Sequence, residues 1–168
     1  VKSAAMAETA GKLSPGRFAE VIARAKQRLL SSADDLSAIA GGLPPEILST
    51  VYQSYQRLMS SAGLMDFEDL IAAVVNRLEQ DDAFREDCRR RFPYVFVDEY
   101  QDINYAQYRL IRALVPPDGN ICVIGDPDQA IYGFRGSDAA FFQTFDRDFP
   151  NAATVCLDRS YRSTETIL

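Results

Sequence analysis

The sequence predicts an α/β protein in which an all-helical segment is followed by a parallel sheet. Apolar residues recur at helical spacing through the first half of the chain. From position 94 onward, short apolar runs alternate with helical patterns, and this alternation is typical of βαβ units with parallel strands. Two of the apolar runs end in acidic turn residues. Because ligands bind at the carboxyl edge of open α/β sheets, these acidic residues mark a candidate site.

Four helices are predicted before the first strand. The Ser14-Pro15 pair is a favourable start for the first helix, because proline fits the first helical turn. Pro44-Pro45 begins the second helix, and Gly63 ends it. Asp66 can cap a third helix, and a fourth runs from about Asp82 to Arg91.

Three strands are predicted, at 94–97, 121–124 and 154–157. The first two are continuous apolar runs, so we expect them to be buried on both faces. A helix near 104–114 joins them, and Ser137 can cap a further helix. Three aromatic residues of that further helix are expected to face the sheet: Phe141, Phe142 and Phe145.

The composition is that of a globular protein, with 168 residues, 47% of them hydrophobic and 25% charged. No apolar stretch approaches the ~20 residues that a membrane-spanning helix needs, so we expect no membrane partner and a cytoplasmic location. The formal net charge of −6 argues against binding nucleic acid through overall charge, because phosphates are neutralised by Lys and Arg. The basic run Arg89–Arg91 is interpreted as a solvated helix end, where cations are favoured.

Histidine and cysteine usage narrows the chemistry further. Histidine is absent, which removes the commonest general base and zinc ligand. The three cysteines, Cys88, Cys122 and Cys156, form no CxxC pair, and two of them lie in apolar runs. We therefore expect buried thiols in a reducing compartment rather than disulfides or a metal cage.

Two acidic pentads follow the first two predicted strands: Asp98-Glu99-Tyr100-Gln101-Asp102 and Gly125-Asp126-Pro127-Asp128-Gln129. Magnesium prefers hard oxygen ligands and needs only one or two carboxylates when phosphates supply the rest. Asp98 is suited to the metal side, and Glu99 can reach a water aligned on a terminal phosphate. The amide of Gln129 can hydrogen-bond phosphate and water together. The alternative is that these are solvated turn residues, since Asp, Gly and Pro are common in turns.

Four segments resemble consecutive motifs of the UvrD/Rep family of superfamily-1 DNA helicases. They are Met65–Leu70, Val97–Asp102, Gly125–Gly136 and Ser160–Ser163. The resemblance implies a partial RecA-like P-loop NTPase motor domain with a parallel sheet. It divides the chain into a helical segment similar to the 1B insertion at 1–62, the C-terminal part of the first RecA-like motor domain at 63–158, and the start of the second motor domain at 159–168.

The resemblance also implies the roles of the nucleotide-site residues. Asp98 would serve Mg²⁺, and Glu99 would activate the attacking water. Gln129 would contact the γ-phosphate of ATP and link hydrolysis to DNA. Tyr161 would stack on adenine, and Arg162 would offset the charge that builds on the γ-phosphate, as arginine does in phosphoryl transfer. These assignments make Glu99, Gln129 and Arg162 the catalytic residues.

The loop after the second pentad would face DNA. By the resemblance, Tyr132, Phe134 and Arg135 would contact single-stranded DNA, and stacking on aromatic rings contributes roughly 1–3 kcal/mol per base without sequence preference. The alternative is that the two aromatic residues belong to the core, where most aromatic side chains lie. Two positions depart from the family pattern: Phe134 stands where Trp is usual, and Ser160 stands where Asn is usual.

The phosphate-binding motif GxxxxGK[ST] does not occur in these 168 residues. We therefore expect an excised piece of a longer protein that is inactive alone. By the resemblance, the parent would couple Mg-ATP hydrolysis to 3′–5′ movement on single-stranded DNA and to duplex unwinding, in DNA repair or replication. In the family a further strand lies between the second and third strands, so its loss predicts self-association through unpaired sheet edges or a displaced third strand.

Two alternatives come from other functional classes. A stand-alone magnesium phosphohydrolase or receiver-like domain would use Asp98, Asp102, Asp126 and Asp128, since such folds also gather acids at strand ends. A non-catalytic interaction module would retain the motifs without their chemistry. Phosphatase activity without a partner would favour the first alternative, and DNA binding through Phe134 and Arg135 would argue against the second.

Overall fold

The computed structural model describes residues 13–131, 133, 136–137, 140–162, 164 and 166–167. The order of elements follows the predicted one as far as the second strand. The described elements are α1 (Pro15–Gln27), α2 (Pro45–Ser61), α3 (Phe67–Gln80), α4 (Asp82–Arg91), β1 (Tyr94–Val97), α5 (Tyr105–Leu114), β2 (Asn120–Val123), α6 (Ala140–Gln143) and α7 (Phe145–Asp148), with 3-10 turns at Tyr100–Asp102 and Pro127–Gln129. No helix among these is both long and apolar enough to cross a membrane.

Helices α3 and α5 begin with reciprocal caps formed by residues three positions apart. The Asp66 carboxylate accepts the Asp69 N–H at 2.8 Å, and the Asp69 carboxylate accepts the Asp66 N–H at 3.3 Å. Asn104 and Gln107 make the same exchange at 3.0 and 2.9 Å. Each capping box satisfies two backbone N–H groups that have no partner within the helix. The predicted cap at Asp66 is confirmed.

Most of the buried apolar residues belong to two clusters. One lies between α1, the 30–43 connector and α2, and its buried members are Phe18, Val21, Ile22, Ala25, Leu36, Ile39, Ala40, Leu43, Ile47, Leu48 and Tyr52. The other lies under the sheet, and its buried members are Tyr100, Ile103, Ile111, Val115 and Phe149. The three predicted aromatic residues Phe141, Phe142 and Phe145 pack against this second cluster.

Strands β1 and β2 are parallel neighbours, with Val97 paired to Val123. Alternate residues of β1 pack on the second cluster, whereas Tyr94 and Phe96 on the other face are 68% and 74% exposed. The prediction of strands buried on both faces is therefore wrong for the described chain. The cause is that α5 and the aromatic residues of α6 and α7 cover only one face. Cys122 lies on the uncovered face and is exposed, contrary to prediction.

The predicted third strand is not formed. Residues 154–157 carry neither helix nor strand, and Val155 and Leu157 are 80% and 88% exposed. Cys156, predicted to be buried, is exposed with them. An extended segment needs a neighbouring strand to pair its backbone groups, and the described sheet contains only β1 and β2. The strand assignment is wrong, while the alternative expectation, a third strand displaced from the sheet, agrees with the structure.

A buried lysine joins the first two helices to the start of α3. Lys26 is 2% exposed, and its Nζ lies 2.6 Å from Asp66 Oδ2 and 2.8 Å from Asp69 Oδ1. The Tyr55 hydroxyl donates to Asp66 Oδ2 at 2.8 Å, and the Gln56 amide donates to Asp69 Oδ1 at 3.1 Å. The two carboxylates that cap α3 are thus held by α1 and α2, so the helical segment is fixed to the part of the chain that leads into the sheet.

The network also shifts two pKa values. Burial raises the pKa of Asp66, but hydrogen bonds from Lys26, the Asp69 N–H and Tyr55 outweigh burial, so this pKa lies below its ordinary value. Burial and then the bond to Asp66 raise the pKa of Tyr55 to about 12. Asp66 is therefore an ionised acceptor at neutral pH, and Tyr55 is a neutral donor.

Replacing Lys26 with Met tests how much this network contributes to the free energy of unfolding. The change keeps an apolar stem and leaves two carboxylates without their cation, so we expect the unfolding free energy to fall by about 3–5 kcal/mol. The exposed pair of Arg24 and Glu20 on the same helix gives a matched control, and Arg24→Ala should cost less than about 1 kcal/mol. Urea denaturation measures both, and equal losses in the two variants would contradict the prediction.

Candidate functional site

The two acidic pentads lie side by side at the carboxyl edge of the sheet. The ladder between β1 and β2 continues beyond the strands, because the Ile124 N–H donates to the Val97 carbonyl at 2.8 Å. The Tyr100 N–H then donates to the Ile124 carbonyl at 3.0 Å. These two bonds hold the Asp98-Glu99 turn beside the loop Gly125–Gln129. The predicted meeting of the two segments is present in the structure.

The chain reverses sharply at Glu99. This residue has φ 51° and ψ 44°, in the left-handed region that non-glycine residues seldom adopt. The 3-10 turn that follows directs successive side chains to opposite environments. Asp98 and Glu99 are exposed, whereas Tyr100 and Gln101 are buried. Residues held in uncommon backbone conformations cost about 1–3 kcal/mol each and persist only where their surroundings fix them.

Tyr100 anchors this turn in the second apolar cluster. Its ring is fully buried and contacts the rings of Phe142 and Phe145, with centroids 6.0 and 5.6 Å away. The hydroxyl has no hydrogen-bond partner among the described residues. Burial, and then the charge of Asp148, raise the pKa of Tyr100 to about 12. Tyr100 is therefore a neutral packing residue that holds the Glu99 turn against the core.

Gln101 bridges the two pentads, and sequence analysis gave it no role. It is 1% exposed, and its Nε2 donates to Glu99 Oε2 at 2.7 Å. Its Oε1 accepts the Asp126 N–H at 3.0 Å. A backbone N–H can only donate, so the amide orientation is fixed by this contact. The signal in the sequence was a neutral amide between acidic residues in a turn that follows a predicted strand.

The second pentad is organised by the Asp126 carboxylate. Its Oδ1 accepts the Asp128 N–H at 3.0 Å, a side-chain turn of the kind aspartate favours. Its Oδ2 accepts the Gln129 amide Nε2 at 2.6 Å. Gln129 is exposed on the 3-10 turn, and Asp126 fixes the position of its amide.

Gly125 permits the close approach of the two loops. A Cβ at this position would lie 2.5 Å from Gln101 Oε1 and 2.9 Å from a ring carbon of Phe142. The backbone N of Tyr100 would lie 3.2 Å from it. Glycine is required here for steric reasons, because Gln101, Phe142 and the backbone of Tyr100 leave no room for a Cβ.

The carboxylates fit the ligand preference of magnesium. Asp98 is exposed; its Oδ1 accepts the Glu99 N–H at 3.0 Å, and no described residue engages its second oxygen. Asp102 Oδ1 is buried and lacks a hydrogen-bond partner in the described chain. No group of three or more ligating side chains occurs among the described residues. Mg²⁺ needs only one or two carboxylates when phosphate groups supply the other ligands, and Asp98 presents an accessible carboxylate oxygen at this edge.

Two further predicted site residues, Tyr161 and Arg162, make no contact with this edge that the described part of the chain shows. Tyr161 is 86% exposed, with the Arg159 guanidinium 5.1 Å from its ring centroid. Arg162 is exposed too, and within the described chain no hydrogen bond or ion pair joins it to either pentad. Tyr132, Phe134 and Arg135 lie outside the described residues, so the DNA-facing loop remains a prediction.

Comparison with known proteins decides the family. Residues 2–150 match the family described as "UvrD/REP helicase N-terminal domain". The chain belongs to the UvrD/REP helicase family. It is 41% identical over 157 residues to the ATP-dependent DNA helicase PcrA of Staphylococcus aureus and 41% identical over 170 residues to the ATP-dependent DNA helicase UvrD1 of Mycobacterium leprae. It is 38% identical over 157 residues to PcrA of Bacillus subtilis.

These matches cover 94% of the chain but only 21–22% of each relative. The chain therefore spans about a fifth of the length of the curated relatives it matches. The family predicted from the motif segments is confirmed.

Gly125→Ala tests the contact between the two loops. The added Cβ must displace Gln101 or Phe142, and overpacking of this kind costs typically 1–3 kcal/mol. A Cβ added at Gly133 would meet no heavy atom within 4 Å, so Gly133→Ala is the matched control and should change stability by less than about 0.5 kcal/mol. Chemical denaturation of both variants measures the difference, and a neutral Gly125→Ala would show that the loops are farther apart.

Proposed function

We propose that this chain forms part of the ATPase motor of an ATP-dependent DNA helicase. Family membership and relatives named as ATP-dependent DNA helicases support this function. The proposed fold is the C-terminal part of a RecA-like P-loop domain, and the described parallel pair β1–β2 is consistent with it. Family membership disfavours a stand-alone phosphohydrolase or receiver-like domain.

The observation that supports a nucleotide site is the meeting of the two pentads at one sheet edge. Backbone bonds keep the Asp98-Glu99 turn beside the Asp126 loop, and both turns expose polar side chains there. Two exposed carboxylates and an amide at one edge are among the groups that phosphoryl transfer to water uses. The left-handed backbone at Glu99 is of the kind that clusters at functional sites, and this supports the proposal.

In the proposed reaction, Asp98 holds Mg²⁺, which supplies charge neutralisation for the ATP phosphates when bound. Glu99 accepts a hydrogen bond from the attacking water and takes its proton as the water oxygen bonds to the γ-phosphorus. The bond between the γ-phosphorus and the β–γ bridging oxygen breaks in the same step, and ADP leaves with that oxygen. Gln129 orients water and a γ-phosphate oxygen through its amide. Tyr161 stacks on adenine and Arg162 offsets γ-phosphate charge, and both roles require the 159–168 segment to approach the pentads.

DNA is the proposed partner of the loop that follows Gln129. Tyr132, Phe134 and Arg135 contact single-stranded DNA, and the whole protein unwinds duplex DNA in the 3′–5′ direction during repair or replication. Aromatic stacking explains how a chain with a net charge of −6 binds DNA, since stacking does not depend on phosphate neutralisation.

Two measurements test the ATPase. The 168-residue chain lacks the GxxxxGK[ST] motif, so we expect it to turn over no ATP, because the phosphates have no cradle. In a longer protein that contains such a motif, Glu99→Gln should lower kcat by about 10²-fold or more, as loss of a general base does. Glu46→Gln, an exposed change at the start of α2, is the control. Full activity of Glu99→Gln would overturn the assignment.

The DNA contact is tested by single-stranded DNA binding at fixed salt. Phe134→Ala and Arg135→Ala should each weaken binding about tenfold, because a stacking contact contributes roughly 1–3 kcal/mol. Arg90→Ala removes an exposed cation that pairs with Asp87 and should leave the affinity nearly unchanged. Equal losses in all three variants would contradict a specific DNA loop, because Arg90 lies outside that loop.

The uncovered sheet face supports a proposed self-association of the isolated chain. Tyr94, Phe96 and Ile124 are exposed beside the unpaired edges of β1 and β2. Apolar faces and open edges of this kind favour pairing between copies. Sedimentation should show a mass that rises with concentration, and Phe96→Lys should reduce it. A monomer at all concentrations would contradict self-association.

A further inference from the structure

We propose that Gln101 is a positioning residue that couples the phosphate-contacting loop to the water-activating carboxylate. The coupling is a chain of three hydrogen bonds. Gln129 Nε2 donates to Asp126 Oδ2 at 2.6 Å, the Asp126 N–H donates to Gln101 Oε1 at 3.0 Å, and Gln101 Nε2 donates to Glu99 Oε2 at 2.7 Å. The role rests on the proposed function, which assigns chemistry to the two ends of this chain.

The chemistry of the middle position requires an amide. Gln101 must accept from a backbone N–H and donate to a carboxylate with the same side chain. A carboxylate in its place could only accept, and a hydrocarbon could do neither. Asparagine has the same groups on a chain one carbon shorter. Glutamine is therefore the residue that reaches both loops from the 3-10 turn.

Burial makes the coupling effective. Gln101 is 1% exposed, so water cannot replace either partner when one loop moves. Leaving a buried polar group unpaired costs about 1–3 kcal/mol. Gly125 packs against the amide oxygen with no space for a Cβ. Displacement of the Asp126 loop is therefore transmitted to Glu99 and is not absorbed by solvent.

The consequence concerns the orientation of Glu99. This side chain is exposed and stands on a left-handed backbone position, and Gln101 fixes one of its two oxygens. The other oxygen is left to accept from water. When Gln129 engages phosphate, a shift of the Asp126 loop changes the hydrogen bond between Gln101 and Glu99. That change sets the direction of the Glu99 oxygen that Gln101 does not bind.

The test uses the longer ATPase-competent protein with two Gln101 variants. Gln101→Glu keeps an acceptor for the Asp126 N–H but removes the donor to Glu99, and Gln101→Met removes both. We expect kcat to fall at least tenfold in each with the KM for ATP changed less than about twofold, because misplacing a reacting group lowers the rate more than binding. Gln143→Glu, an exposed amide-to-acid change in α6, is the control and should match wild type.

Amide hydrogen exchange of the 168-residue chain distinguishes a positioning role of Gln101 from a general role in folding. In Gln101→Met the Asp126 N–H should lose protection, while the Ile124 N–H, which donates to Val97, keeps it. Loss of protection at both amides would overturn the proposal in favour of a general structural role. If the longer protein hydrolyses ATP and its Gln101→Glu variant has an unchanged kcat, the coupling is overturned and the proposed function is not. A longer protein without ATP turnover would overturn the proposed function, and with it the catalytic role of Gln101.

Discussion

The parallel pairing of β1 with β2 is the constraint on which the candidate site depends. Parallel strands end at the same edge, so the turns that follow them emerge together. The bonds from Ile124 to Val97 and from Tyr100 to Ile124 extend this pairing into the turns themselves. Backbone pairing consequently places the two pentads side by side, and the hydrogen bonds of Gln101 and Asp126 then orient the side chains of Glu99 and Gln129.

Buried polar side chains determine how the larger pieces are arranged. Lys26 and Gln101 are the buried polar residues of the described chain, and each lies between segments distant in sequence. Lys26 joins α1 and α2 to the cap of α3, and Gln101 joins the two pentads. An unpaired polar group in the interior is costly, so each of these two side chains favours one relative position of the segments that it joins. Apolar packing alone tolerates more slippage between segments.

The site has exposed reactive groups on a buried support. Asp98, Glu99 and Gln129 are exposed, while Tyr100 and Gln101 of the first pentad are buried. This division suits chemistry on a ligand that arrives from solvent, because positioned groups keep their orientation before binding. It also explains why sequence analysis proposed Asp98, Glu99 and Gln129 and gave Gln101 no role, because the contacts of the buried Gln101 depend on a distant segment.

The sequence by itself determined the helix starts, the two principal strands and the acidic turns. These features depend on neighbours within a few residues, as in the reciprocal caps of Asp66 with Asp69 and Asn104 with Gln107. Only the tertiary structure decided that one face of β1 and β2 is uncovered, that residues 154–157 have no strand partner, and that Gln101 reaches Asp126, 25 positions away. Burial and strand pairing depend on which distant segments cover a strand face and hydrogen-bond to its backbone. A local sequence pattern does not specify those segments.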